Sequence, residues 1–190
     1  MTPELIRKFA LRYVLYILLL SILSPLLFTV FFAKGISVMG RLFETNTPAI
    51  TRSFELSKES AHPLNARITI INSSLLNPDG SGPERHLDFD ALGVFWSPCA
   101  FMMSLFLASP FPWKRRFLYI LVGIPLMLCA SYLQVRFLIW DESSYIGLVW
   151  ISPEWRELVT VLRGISNYTV DCTLGISIWL SAIRGYGQPS

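Results

Sequence analysis

The chain has 190 residues, 53% of them apolar and only 15% charged, with a formal net charge of +3 and a mean hydropathy of +0.49. That balance excludes an ordinary water-soluble domain, in which about a quarter of the residues carry charge. It also excludes a nucleic-acid binder, because the cations sit at the edges of apolar runs and not together on a soluble face with stacking aromatics.

Arg7, Lys8 and Arg12 precede an unbroken apolar run at residues 13–32. The run is longer than the apolar core of a cleaved signal peptide, and Ala33-Lys34-Gly35 is a poor cleavage site. It reads as an uncleaved signal anchor with its N-terminus inside, kinked at Pro25, where a proline ring removes one backbone hydrogen bond. Residues 1–33 are thus the cytoplasmic N-terminus and first transmembrane helix.

Residues 34–90 form an extracytoplasmic module, with 35–43 continuing the first span as a helical stalk. Ile50, Phe54 and Leu56 alternate with Thr51, Ser53 and Glu55, and Arg52 interrupts the apolar side. Ala66, Ile68 and Ile70 alternate with Arg67 and Thr69. With a turn-like connection at residues 60–65, the pattern predicts a β-hairpin. Phe54, Leu56, Ile68 and Ile70 form its apolar face, which is too small to sustain itself in water. That face needs cover, from the amphipathic helix described below or from a partner that docks on it. Residues 77–83 (NPDGSGP) read as loop.

Residues 91–139 are a transmembrane hairpin. The uncharged run 91–111 is long enough to cross a hydrocarbon core of roughly 30 Å. Pro110 and Pro112 end it, Trp113 suits an interface, Lys114-Arg115-Arg116 fill the turn, and 117–139 return. Three adjacent cations are costly to translocate, so the turn is cytoplasmic. The cations of the 34–90 loop are scattered among acids, consistent with an outer location. Residues 140–164 return outside. There Ser152-Pro153-Glu154 start a helix that places Trp155, Leu158, Val159 and Leu162 on one face, an amphipathic interfacial helix. Residues 165–190 are the fourth span and cytoplasmic tail. The fold class is therefore mainly α and integral to a membrane: four transmembrane helices, a small β-hairpin module and an interfacial helix.

Asp171 stands about two turns inside the fourth span, where a carboxylate costs about 2.5–3.5 kcal/mol on insertion scales. It must face protein or water, and Arg136 near the outer end of the third span is its natural partner. An ion pair between these spans, a contact to another membrane protein and an ion pathway all remain open readings. His62 and His86 lie beside turns without a ligand cluster, so no metal is implied. Cys99, Cys129 and Cys172 fall inside apolar runs and imply no disulfide framework. No phosphate loop or paired-His motif is present, and no cofactor is implied. Asn72-Ser73-Ser74 and Asn167-Tyr168-Thr169 match a glycosylation sequon that matters only in a eukaryotic secretory pathway.

In order, a signal anchor, an outer β-hairpin module, a second span, a Lys/Arg turn, a third span, a Trp-containing amphipathic helix and a fourth span resemble the exosortase H-associated membrane proteins. These are small four-span companions of bacterial exosortases. The resemblance is architectural, covers nearly the whole chain and carries over no functional residue. It implies a multi-pass protein of the bacterial inner (plasma) membrane with both termini cytoplasmic. It also implies an exosortase-like partner that supplies the catalytic Cys, Arg and His. The function expected is that of a non-enzymatic accessory protein, in contact with the lipid bilayer and with a membrane-protein partner or a second copy of itself. Phe54, Leu56, Ile68, Ile70 and Trp155 are the partner-facing candidates. The alternative is a small transporter or channel subunit, which interior polar faces repeated on several spans would favour.

Overall fold

The computed structural model describes residues 3–27, 33–56, 65–78, 82–164 and 167–186; the side chains of 24–27, 33, 160–164, 167–171 and 185–186 lie outside that description. The element order is α1 (Pro3–Leu27), α2 (Ala33–Arg41), β1 (Thr45–Asn46), β2 (Ile50–Leu56), β3 (Asn65–Asn72), a 3-10 turn (Ser73–Leu75) and β4 (Glu84–Asp90). A π turn (Leu92–Trp96), α3 (Ser97–Ala108), α4 (Trp113–Tyr145), α5 (Pro153–Gly164) and α6 (Asn167–Tyr186) follow.

The expected set of four transmembrane helices and a β-hairpin is corrected on both counts. Among the described residues one helix, α4, is long and apolar enough to cross a membrane; Leu92–Ala108 and Cys172–Arg184 are apolar but shorter. The reason is length. At about 1.5 Å per residue these two reach only roughly 20–25 Å, short of a hydrocarbon core of roughly 30 Å. In α1 the cations Arg7, Lys8 and Arg12 take up the first half, and residues 28–32 of the expected first span lie outside the described residues. The hairpin is in fact the middle of a four-stranded antiparallel sheet, ordered β1-β2-β3-β4. The expected turn at 60–65 lies outside the described residues up to residue 64.

The chain divides into two compact units. The first gathers the described parts of Met1–Thr29, Gly93–Ser131 and Asn167–Ser190. Its centre is α3, which is apolar on all sides and approached by both α1 and α6. A helix of that composition is buried, whether by protein or by lipid. Here Cys99, Met102 and Phe106 of α3 pack with Phe111, Met127 and Ala182. Gly123 of α4 lets the Met102 side chain lie where a Cβ would stand.

The polar backbone groups of this apolar unit are met by particular side chains. Pro98 has no N–H, so the carbonyl of Val94, four residues earlier, loses its helical donor. The π turn falls at that point, and Ser131 Oγ donates to Val94 O at 2.7 Å. At the other end of α3, Arg116 donates from Nε to Phe111 O at 2.6 Å and from Nη1 to Leu107 O at 2.8 Å. Trp179 Nε1 donates to Ser109 Oγ at 2.6 Å, and that hydroxyl donates onward to Leu105 O at 2.7 Å. Removing a buried donor leaves its carbonyl unsatisfied, at about 1–3 kcal/mol. Ser131→Ala should therefore destabilise the protein by about that much in a detergent melting experiment. An unchanged melting temperature would mean that Val94 O finds another donor.

The second unit gathers the described parts of Val30–Leu92 and Tyr132–Ser166. In the sheet, Arg52, Phe54 and Leu56 pair with Ile70, Ile68 and Ala66, which in turn face Arg85, Leu87 and Phe89 of β4. Paired residues share a face of the pleat, so one face is apolar with two arginines. The other carries Arg67, Thr69, Glu84, His86 and Asp88. On it Arg67 Nε donates to Asp88 Oδ1 at 2.7 Å. That hydrogen bond holds the Asp88 carboxyl below the usual carboxylate range. The pair therefore adds stability at neutral pH, which is lost as pH falls through the lowered value. His86 Nε2 lies 2.9 Å from Glu84 Oε1.

The apolar face is covered by α2. Ile36, Gly40 and Phe43 recur at helical spacing and are buried, while Lys34 and Arg41 face outward. A Cβ on Gly40 would run into the Phe54 ring, so the approach requires glycine. Overpacking of this kind costs about 1–3 kcal/mol. Gly40→Ala should lower stability by about that amount. The loss should shrink when Phe54→Leu is added, and strict additivity of the two changes would argue against the contact.

Candidate functional site

Arg52 stands where the alternation of β2 calls for a hydrophobe. Its row across the sheet reads Thr45, Arg52, Ile70, Arg85. Thr45 Oγ1 accepts a hydrogen bond from Arg52 Nη2 at 3.1 Å. Arg52 Nε is buried and has no hydrogen-bond partner among the described residues.

The facing wall comes from the last turns of α4. Tyr132, Arg136, Ile139 and Ser143 recur at spacings of four, three and four, so they share one helix face. Tyr132 stacks on Phe43, with ring centroids 4.9 Å apart. The Arg136 guanidinium sits 5.9 Å from the centre of the Tyr132 ring, within cation–π range. Ser143 Oγ donates to Ile139 O at 2.6 Å.

A turn closes the third side. Gly147 has φ +73°, its N–H donates to Ser144 O, and Leu148 N donates to Ser143 O at 3.1 Å. This is a Schellman ending, in which glycine supplies the left-handed conformation at no steric cost. It folds Leu148 and Val149 back beside Ser143. Asn72, 2% exposed, ties the sheet to the same turn by donating from Nδ2 to Ile146 O at 2.8 Å.

The result is a cleft of about 310 Å³ between Ile50 and Arg52 on one side and Arg136, Ile139, Trp140 and the turn on the other. Among the described residues no carboxylate lies within ion-pair distance of either guanidinium. Burial, and after it the positive charge of Arg136, push the Arg52 guanidinium below its ordinary value, with Tyr132 acting the other way. A base whose folded value is lowered pays for its charge in folded-state stability. Arginine stays charged at any physiological pH, so that cost does not vary across the usual pH range.

Of the residues that sequence reasoning singles out, Arg136 lines this cleft. The side chain of Asp171 lies outside the described residues. Ile68 and Ile70 are both 0% exposed, sealed under the sheet's inner face, and Phe54 and Leu56 are half-buried. Neither isoleucine can touch a partner while the sheet is intact. Trp155 is 51% exposed and meets Trp140 edge-on at 6.4 Å. Its backbone N–H donates to the cap residue Ser152 Oγ at 3.4 Å. Tyr145 lies under two guanidiniums, Arg85 at 5.2 Å and Arg156 at 5.6 Å. The residue that the sequence reading leaves out of the site is Arg52, although its intrusion on an apolar face is the signal that marks it. Among the described residues no three His, Cys, Asp or Glu side chains gather as a metal centre would require. The chain matches no family model, no curated protein and no solved structure.

Two like charges across one cleft destabilise the unit, and salt screens that repulsion. Arg136→Gln should stabilise the protein by about 0.2–1 kcal/mol at low ionic strength, and by less in high salt. A loss of stability on that substitution would mean that Arg136 holds the unit together.

Proposed function

We propose that this chain is a membrane-attached, non-enzymatic accessory protein, with α4 as its crossing helix and the sheet-bearing unit as its binding surface. The observation that carries the reading is the bareness of α4. In its most apolar window only 22% of the residues are buried, whereas the core helix of a water-soluble protein is mostly covered. Phe117, Leu118, Leu121, Val122 and Leu126 all face outward. On α1, Leu11, Leu15, Leu18 and Ile22 do the same. Apolar surface on this scale marks contact with a membrane or a partner.

The ends of α4 support the same reading. A rise of about 1.5 Å per residue puts Arg136 about 30 Å along the helix from Arg116, the thickness of a hydrocarbon core. Trp113 and Trp140 lie outside that interval, where tryptophan is favoured at both interfaces. The Arg116 guanidinium sits 4.8 Å from the Trp113 ring. Lys114-Arg115-Arg116 favour the cytoplasmic side for that end; a bacterial inner-membrane location is what the architectural resemblance implies. The shorter α3 is enclosed by its neighbours and does not have to offer lipid a surface of its own.

A binding role is favoured over a catalytic one by the chemistry of the cleft. Guanidiniums neither take up nor release protons near neutral pH, and the cleft's one hydroxyl, on Ser143, is already engaged with Ile139 O. The partner is proposed by class, as another membrane protein. An exosortase-type enzyme is what the architectural resemblance implies, but that resemblance rests on four consecutive spans.

Two measurements test this. With Cys99, Cys129 and Cys172 replaced, Ser53→Cys in the sheet and Pro110→Cys beside the cationic turn should react with an impermeant thiol reagent from opposite sides of the membrane. Equal labelling from one side would overturn the placement. Mild-detergent purification should then bring down a stoichiometric membrane protein. Catalytic or transport activity of the lone chain in liposomes would overturn the accessory role.

A further inference from the structure

We infer that the cleft between Arg52 and Arg136 binds a phosphate oxyanion, and that its source is the headgroup of an anionic phospholipid. Four observations lead there. Two permanent cations line one cleft, and among the described residues neither has a carboxylate within ion-pair distance. Arg52 Nε is buried and has no hydrogen-bond partner among the described residues, an arrangement that costs free energy until an acceptor arrives. The planar guanidinium fork matches phosphate geometry, and two forks facing one space can share the oxygens of a single group. The acids of α4 nearest to the cleft, Asp141 and Glu142, are not among the residues that line it, and Asp141 is 2% exposed.

The walls indicate an amphiphile over a free anion. Ile50, Ile139, Leu148 and Val149 leave an apolar flank beside the two charges, which would suit the first carbons of an acyl chain. At about 310 Å³ the cleft lies at the small end of the roughly 300–1,000 Å³ range of ligand sites. It has room for a headgroup and not for a whole lipid. The surroundings fit an interface: Trp140 lines the cleft, and Trp150 on the adjoining loop is 83% exposed. About one hydrocarbon thickness along α4 from Arg116, a basic cleft stands at the level of the headgroups. The negative end of the α4 dipole works against an anion, but its effect fades within the last turn. Arg136 sits more than two turns before the helix end at Tyr145.

The phospholipid source rests on the membrane placement proposed above, whereas the oxyanion site does not. The test uses the full-length protein in zwitterionic detergent. It is titrated with short-chain phosphatidylglycerol, short-chain phosphatidylcholine and inorganic phosphate, read by tryptophan fluorescence and thermal shift. The expected result is saturable stabilisation by phosphatidylglycerol, at least tenfold weaker binding of phosphatidylcholine, and millimolar or weaker binding of inorganic phosphate. Arg136→Gln, at an exposed position, should weaken phosphatidylglycerol binding at least tenfold. Arg52→Lys should do so as well by removing the fork while keeping the charge, and Arg85→Gln should leave binding unchanged. Equal binding of the two lipids, or an undiminished affinity in Arg136→Gln, overturns the site. Inorganic phosphate binding as tightly as phosphatidylglycerol overturns the lipid source and leaves the oxyanion site standing. If thiol labelling places both cysteines on one side while phosphatidylglycerol still binds, the membrane placement falls and the site remains.

Discussion

One arginine on an otherwise apolar sheet face sets the terms for the unit around it. Arg52 pairs in register with Ile70, which has no solvent exposure at all. Its guanidinium must therefore leave the sheet sideways, past Thr45 of the two-residue strand β1, into the space between sheet and helix. An apolar residue there would let the wall close. Because the cation needs polar company or room, the wall stays open, and the cleft is its consequence. Arg136 on the opposite wall adds a like charge and raises that cost. A residue that costs stability where it stands is a common mark of a functional site.

The elements around the cleft are held by short-range devices that make this opening reproducible. Gly147 turns the chain by adopting a positive φ, and the Schellman hydrogen bonds secure it. Asn72 reaches from β3 to the carbonyl of Ile146. Gly40 admits the Phe54 ring and so allows α2 to cover the sheet. Each device trades conformational freedom for position. Together they keep the two guanidiniums on facing walls without any ion pair among the described residues to bring them there.

The helical unit solves a different problem, that of satisfying backbone groups where no water is available. Pro98 deprives Val94 of its helical donor within the π turn, and Ser131 supplies another. Arg116 does the same for the end of α3, with its guanidinium over the Trp113 ring. These are the side chains that a purely apolar reading of the sequence treats as interruptions. In a dry interior an unpaired carbonyl is expensive, so each has a donor assigned to it.

What the sequence by itself determined are the features written in local periodicity. The long run that becomes α4 is one, bounded at its start by Pro110, Pro112 and Trp113. The alternations of β2 and β3 are another, and the helix start at Ser152-Pro153 a third. Strand β4 also alternates, with Leu87 and Phe89 opposite His86 and Asp88, but two hydrophobes in seven residues are too few to stand out, and β1 has no pattern to read. Tertiary structure alone decided that α2 covers the sheet, because Gly40 announces nothing until Phe54 is placed against it. It alone brought Arg52 to Arg136, which are far apart in the chain. It also separated helices enclosed by protein, such as α3, from those left bare, α4 and α1. An apolar helix such as α3 loses its contact with water equally well against protein or against lipid, so composition cannot distinguish the two; only the positions of its neighbours can.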